Sequence, residues 1–258
     1  MTEFKKQTIR FYNKKAKDHY FETVNIYELD NFTSYEFWIV ARYLNKAINN
    51  VSRNYIICDI GTGTDTYIIL LKKLGFHMVI GADLSSGMLK IAKSKGIQYL
   101  VQCDANFLPF QNESFHLVTS FALLEHVPKP EKVIKELYRV SHKAGYLFLM
   151  TPNPIFFNAF RIRNKPQKSQ YEKFIFPEQL RSFLDRNAQV LNFSTCYIIP
   201  PLMPLIFAFI GKINRKLLYY CLFLYMLFEI RILQKLPLLN RLGYLQLLYY
   251  TRLCDSIQ

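Results

Sequence analysis

Three carboxylates in the first half of the chain each close an apolar run: Asp59 after Tyr55-Ile-Ile-Cys58, Asp83 after Met78-Val-Ile-Gly-Ala82, and Asp104 after the run from Ile97 to Cys103. Gly61 and Gly63 follow the first of them at once. Ionised carboxylates only accept hydrogen bonds, so this set suits a ligand rich in hydroxyl or amino donors, or one that is cationic. Asp83 lies 20 residues beyond Gly63. That is the spacing at which an acidic strand end meets the two hydroxyls of a ribose. A dinucleotide loop of the form G-x-G-x-x-G is a poor fit, because Thr66 stands at the third glycine position and Asp65 would face the phosphates. Further along, Ser120 and Glu125-His126 follow a fourth apolar run, Ser114 to Phe121. His126 is a candidate to take a proton from an acceptor hydroxyl, or else a support for its loop.

These residues need strands to aim them. Continuous apolar runs of this length, ending in loops and followed by helical stretches, read as parallel strands buried on both faces. Tyr67 to Leu74 reads as a helix with Lys72-Lys73 in its last turn and Gly75 as its stop. Ser85 or Ser86 can cap a helix running to Lys95, and Pro130 to Ser141 carries Val133, Ile134, Leu137 and Val140 on one face. A fifth strand is expected over Gly145 to Met150, a helix over Pro177 to Leu184, and a last strand from Val190 to Ile199. The expected fold is α/β, a doubly wound Rossmann-like sheet of seven mostly parallel strands.

At this point the residues resemble the class I S-adenosylmethionine-dependent methyltransferases, of the small-molecule or lipid type that acts on ubiquinone and menaquinone precursors. Asp59-Ile-Gly-Thr-Gly-Thr-Asp65 is similar to their glycine loop, with Asp65 in place of the last glycine. Gly81-Ala-Asp-Leu-Ser-Ser-Gly-Met-Leu89, Asp104-Ala-Asn-Phe-Leu-Pro-Phe110, Ser114-Phe-His-Leu-Val118 and Thr151-Pro-Asn-Pro154 match later stretches, with His116 where an aspartate is usual. The resemblance covers 52–199. It implies S-adenosylmethionine as cofactor, held by Asp59, Gly61, Gly63, Asp83, Leu84, Asp104, Ala105 and Ser120, with Asp104 receiving the adenine amino group and Ala105 or Phe107 packing nearby. It places His126 near the transferred methyl. Phe11-Tyr12, Ala16 and His19-Tyr20 resemble a lid segment of the same family. No metal site is implied.

The expected organisation is a helical lid over 1–50, a cofactor-binding domain over 51–199, and a helical hydrophobic appendage over 200–258. Leu217 to Phe228 is twelve residues without charge, and 200–258 holds seven basic residues against two acidic ones. A spanning helix needs about 20 apolar residues. The run therefore suits a helix lying in a membrane interface, or a cap on the core. The whole chain carries a net charge of +14, which favours anionic partners, membrane leaflet or nucleic acid. The five cysteines are widely spaced and form no C-x-x-C pair, so a reducing cytoplasm is expected, with peripheral contact on the inner face of the membrane. Methyl transfer to a small or lipid-linked acceptor is the leading expectation. Nucleic-acid methylation, which lacks its D/N-P-P-Y/F motif here, and a non-catalytic membrane-associated protein of the same fold are the alternatives.

Overall fold

A computed structural model describes residues 3–17, 32–154, 174–183, 188–196 and 245–252, with ten further positions between 209 and 228. One sheet organises them, in the strand order β3-β2-β1-β4-β5-β7-β6. Its strands are β1 (Ile57–Ile60), β2 (Val79–Asp83), β3 (Leu100–Gln102), β4 (Phe115–Phe121), β5 (Ser141–Pro152), β6 (Ala188–Cys196) and β7 (Leu245–Arg252). The pairs among β1 to β5 are parallel. β7 runs antiparallel to both of its neighbours, β5 and β6.

The helices are α1 (Glu3–Lys17), α2 (Phe32–Ala47), α3 (Thr66–Lys73), α4 (Ser86–Ser94), α5 (Pro130–Val140) and α6 (Pro177–Ser182). Period-two alternation sends successive strand residues to opposite faces. Ile57 and Leu117 join one core cluster with Val40 and Leu44 of α2 and Ile68 and Leu71 of α3. Cys58 and Val118 join the other, with Val133, Ile134 and Leu137 of α5 and Leu180 of α6. Helices on both faces are what continuous apolar strands require. Pro130 starts α5, where its missing N–H costs nothing.

The C-terminal segment departs from expectation. Leu245–Arg252 fell inside the proposed appendage, and the strand ending near Ile199 was to complete the fold. Instead β7 pairs with β5 over Tyr146↔Thr251 to Pro152↔Leu245, and β6 reaches the sheet only through β7. The appendage therefore contributes a strand to the central sheet. At the described positions between 209 and 228, Ile210, Cys221 and Tyr225 pack on the first core cluster. Phe209, Ile213, Leu217, Tyr220, Leu224 and Phe228 are 44% to 68% exposed. Among the described residues no helix is long and apolar enough to cross a membrane. Residues His19 and Tyr20 of the lid segment, and 155–173, lie outside the described residues.

Candidate active site

A cavity of about 980 Å³ opens at the C-terminal ends of β1 to β4. Ligand pockets run from about 300 to 1,000 Å³, so this one stands at the upper end of the range. Its floor is the loop after β1. Gly61 and Gly63 both have positive φ, 79° and 58°, and the N–H groups of Gly61 and Thr62 donate to the Ala82 carbonyl at 2.8 and 3.1 Å. A Cβ on Gly61 would come within 3.0 Å of the Leu123 Cβ. Backbone and loop thus approach each other in a way only glycine permits.

Asp83 ends β2. Its Oδ2 accepts from the Gly63 N–H at 2.9 Å and its Oδ1 from the Ser85 N–H at 2.8 Å. Burial pushes its carboxyl above the ordinary value, and these backbone donors partly offset the rise. A carboxylate has about four lone-pair sites. Asp83 lines the cavity, and a carboxylate there fits a ribose diol. Asp104 follows β3. Its Oδ1 accepts from the Asn106 N–H at 2.9 Å and the Asn106 amide at 2.8 Å, and its Oδ2 pairs with the Lys5 ammonium. Burial alone would raise this carboxyl, but Lys5 and Asn106 outweigh it and hold it below the ordinary value. Leu84 and Ala105 line the same end.

Two of the residues expected at the cofactor do not line the cavity. Asp59 is 1% exposed and accepts from the Thr119 hydroxyl at 2.7 Å, so it faces the neighbouring strand from behind the loop. Ser120, also 1% exposed, is buried within β4. Strand alternation puts Ile60 and Phe121, their successors in sequence, at the cavity wall instead. Asp65, in the last glycine's place, has φ 117° and turns away from the cavity to the Lys95 ammonium at 3.0 Å. The departure from the glycine pattern therefore leaves the cavity open. Ser85 caps α4, accepting from the Met88 N–H at 3.2 Å.

His126 ends a short 3₁₀ turn, Leu124–His126, and lines the cavity. Glu125 holds that turn, accepting from the Thr151 hydroxyl at 3.0 Å at the end of β5. The His126 Nε2 is 3.9 Å from the Glu125 Oε1, and its ring meets Tyr12 edge-on at 6.0 Å. Ala122, beside it, has φ 51°. A non-glycine residue there is strained, as at many functional turns. His116 lies elsewhere, stacked between Tyr55 and His142.

Several wall residues escaped sequence reasoning. Tyr67 and Phe121 stack at 3.8 Å between ring centres. From α1, Phe4, Lys5, Thr8, Ile9 and Lys15 join Tyr12, which the lid resemblance names, on one side of the cavity. Asn13 docks that helix, its Oδ1 accepting from the Ser85 hydroxyl at 2.7 Å and the Gly87 N–H at 2.9 Å. The resemblance marks this segment as a lid through Phe11-Tyr12 and Ala16, but no local signal gives Asn13 its partners on α4. Thiol chemistry is disfavoured: burial pushes Cys103, in the wall, up to about 12 and raises Cys58 as well. Among the described residues no three His, Cys, Asp or Glu side chains gather as a metal site.

A methyltransferase-domain profile matches residues 58–149. The chain is 30% identical over 169 residues to the ubiquinone biosynthesis O-methyltransferase of Xanthomonas oryzae pv. oryzae, covering 56% of this chain and 70% of that protein. The chain belongs to the class I S-adenosylmethionine-dependent methyltransferases. S-adenosylmethionine is the cofactor of this methyltransferase, and the cavity's donor-accepting strand ends fit it. The mitochondrial ubiquinone biosynthesis O-methyltransferase of Dictyostelium discoideum is 23% identical over 211 residues, 69% of this chain and 66% of that protein. Among solved structures, magnesium protoporphyrin IX methyltransferase from Synechocystis PCC 6803, with bound cofactor, superposes with a TM-score of 0.59 at 15% identity, over 98% of each chain. A methyltransferase of Thermotoga maritima, described as a possible histamine N-methyltransferase, gives 0.61 at 16% identity, over 95% of this chain and 99% of that one. These two likenesses are of fold.

Proposed function

We propose that this methyltransferase methylates a small or lipid-linked acceptor held between α1 and the turn at Leu124–His126. The observation that carries the reading is one cavity whose lining runs from Asp83 and Asp104 to Tyr12 and His126. Asp83 holds the ribose, Asp104 and Ala105 the adenine, and the Gly61–Gly63 loop the amino-acid end. Bound there, S-adenosylmethionine supplies a methyl activated by a sulfonium, open to in-line displacement by a nucleophile.

The chain's own work is then proximity and orientation, worth several orders of magnitude in rate. The Tyr67–Phe121 stack and Leu123 form a dry wall at the reacting end. His126 takes the proton from an acceptor hydroxyl. α1 acts as a lid, docked through Asn13, and shields the exchange from water. Quinone-type acceptors named for the Xanthomonas and Dictyostelium relatives suit such an apolar chamber.

The exposed stripe from Phe209 to Phe228 supports a lipid-linked acceptor and peripheral contact with an anionic leaflet. Incubating the full chain with methyl-labelled cofactor and a total lipid extract tests the reading. Label is expected in an extractable lipid or quinone precursor. Label confined to nucleic acid or to water-soluble polymer would overturn it.

A further inference from the structure

We infer that the acceptor is an anion, and that Lys129 and Lys132 recognise its carboxylate or phosphate. The inference rests on the methyltransferase reading above and names the class of acceptor within it. Six charged side chains line the cavity: Asp83, Asp104, Lys5, Lys15, Lys129 and Lys132. They are sorted by position. Both carboxylates stand at the ends of β2 and β3, where the cofactor's donors belong, and Lys5 is committed to Asp104.

The other three lysines line the cavity from two separate elements. Lys15 comes from the last turn of α1, with its ammonium 4.7 Å from the centre of the Phe11 ring. Lys129 and Lys132 flank the start of α5, three and six residues beyond His126. Both are exposed at the mouth, and neither has an acidic partner among the described residues. Glu125, the carboxylate nearest to His126, is buried and engaged by Thr151. A neutral or cationic acceptor would gain nothing from this arrangement, and a cation would be repelled both by the lysines and by a sulfonium. An anionic group on the acceptor would meet the positive charges of Lys129 and Lys132 while its apolar body lies against Ile9, Leu123 and Val127.

Calorimetry on the full chain saturated with S-adenosylhomocysteine provides the test. The probes are 3,4-dihydroxybenzoate, phenyl phosphate and the uncharged 3,4-dihydroxybenzyl alcohol. At low salt at least one anion is expected to bind about tenfold more tightly than the alcohol, and the larger preference tells carboxylate from phosphate. The double variant Lys129→Gln/Lys132→Gln is expected to bring the probes to within about twofold of one another, with affinity for S-adenosylhomocysteine unchanged. An alcohol that binds as tightly as both anions would overturn the inference. So would a double variant that keeps the preference, or failure of all three probes to bind. Failure to bind S-adenosylhomocysteine would count instead against the cofactor site itself.

Discussion

Asp59 offers the sharpest test of how the site is built. It is 1% exposed, and burial pushes its carboxyl from the ordinary 3.8 to about 6, with the nearby Asp83 charge adding to the rise and the Thr119 and Thr62 hydroxyls opposing it. At 1.36 kcal/mol per pKa unit, the rise means that ionised Asp59 destabilises the folded chain by about 3 kcal/mol. The sign follows from proton counting. Between 3.8 and about 6 the folded state binds the proton that the unfolded state has lost. Stability from this group is complete below the lower value and is lost as pH rises through the upper one. Asp59→Asn keeps an oxygen to accept from Thr119 and removes the charge. The variant is expected to gain about 3 kcal/mol at pH 8, but only about half of that at pH 5, where wild-type Asp59 is mostly protonated. For a chain of this size that is about 6–12 °C in Tm at pH 8. Thermal melts at both pH values measure it. An equal gain at the two pH values, or a loss at pH 8, would refute the reasoning.

Asp83→Asn removes one acceptor and sets an amide N–H₂ against the Gly63 or Ser85 N–H. S-adenosylhomocysteine affinity should fall about 10- to 100-fold by calorimetry, and an unchanged value would remove Asp83 from the ribose site. Asp65→Ala keeps the strained φ of 117° and loses Lys95, costing about 1–3 kcal/mol, whereas Asp65→Gly relieves the strain and costs less; the reverse order in urea melts would contradict this account. His126→Ala should lower turnover about 100-fold with cofactor affinity intact, and unaltered turnover would make His126 a support for its loop. Ile213→Glu with Leu224→Glu, both on the exposed stripe, should release the full chain from anionic vesicles in co-sedimentation; equal pelleting, or a shift only in oligomeric state, would argue against membrane contact.

Much of the cofactor end is legible in the sequence because buried parallel strands write themselves as apolar runs, and a carboxylate closing such a run has few other uses. Asp83 and Asp104 follow that logic and reach the cavity. Asp59 follows the same pattern in sequence and does not, because the turn from strand to loop happens one residue later and leaves its side chain facing Thr119. A one-residue difference reverses the face of a strand, and nothing local in Cys58-Asp59-Ile60 marks where the pleat ends. The acceptor end is less legible for a different reason. Its walls are made by contacts between distant segments, Asn13 with Ser85 and Gly87, Tyr12 with His126, Tyr67 with Phe121. Each partner taken alone reads as an ordinary helix aromatic or turn residue.

The C-terminal segment shows how composition can hide topology. Leu245-Gln-Leu-Leu-Tyr-Tyr-Thr-Arg252 has no clean alternation, and it follows a long apolar and basic stretch, so it reads as more of the same. Yet it pairs antiparallel with β5 on one side and β6 on the other, one place in from the edge of the sheet. β6 hangs on the sheet only through β7, so cutting the chain at Ile199 would remove the strand between β5 and β6 and leave β6 without a partner in the sheet. The 200–258 segment is therefore tied to the core at both ends of its described part, by Ile210, Cys221 and Tyr225 on one cluster and by β7 beside β5. Point replacements on the Phe209–Phe228 stripe leave β7 in place beside β5, so they, and not truncations, are the perturbations that test a membrane role for it.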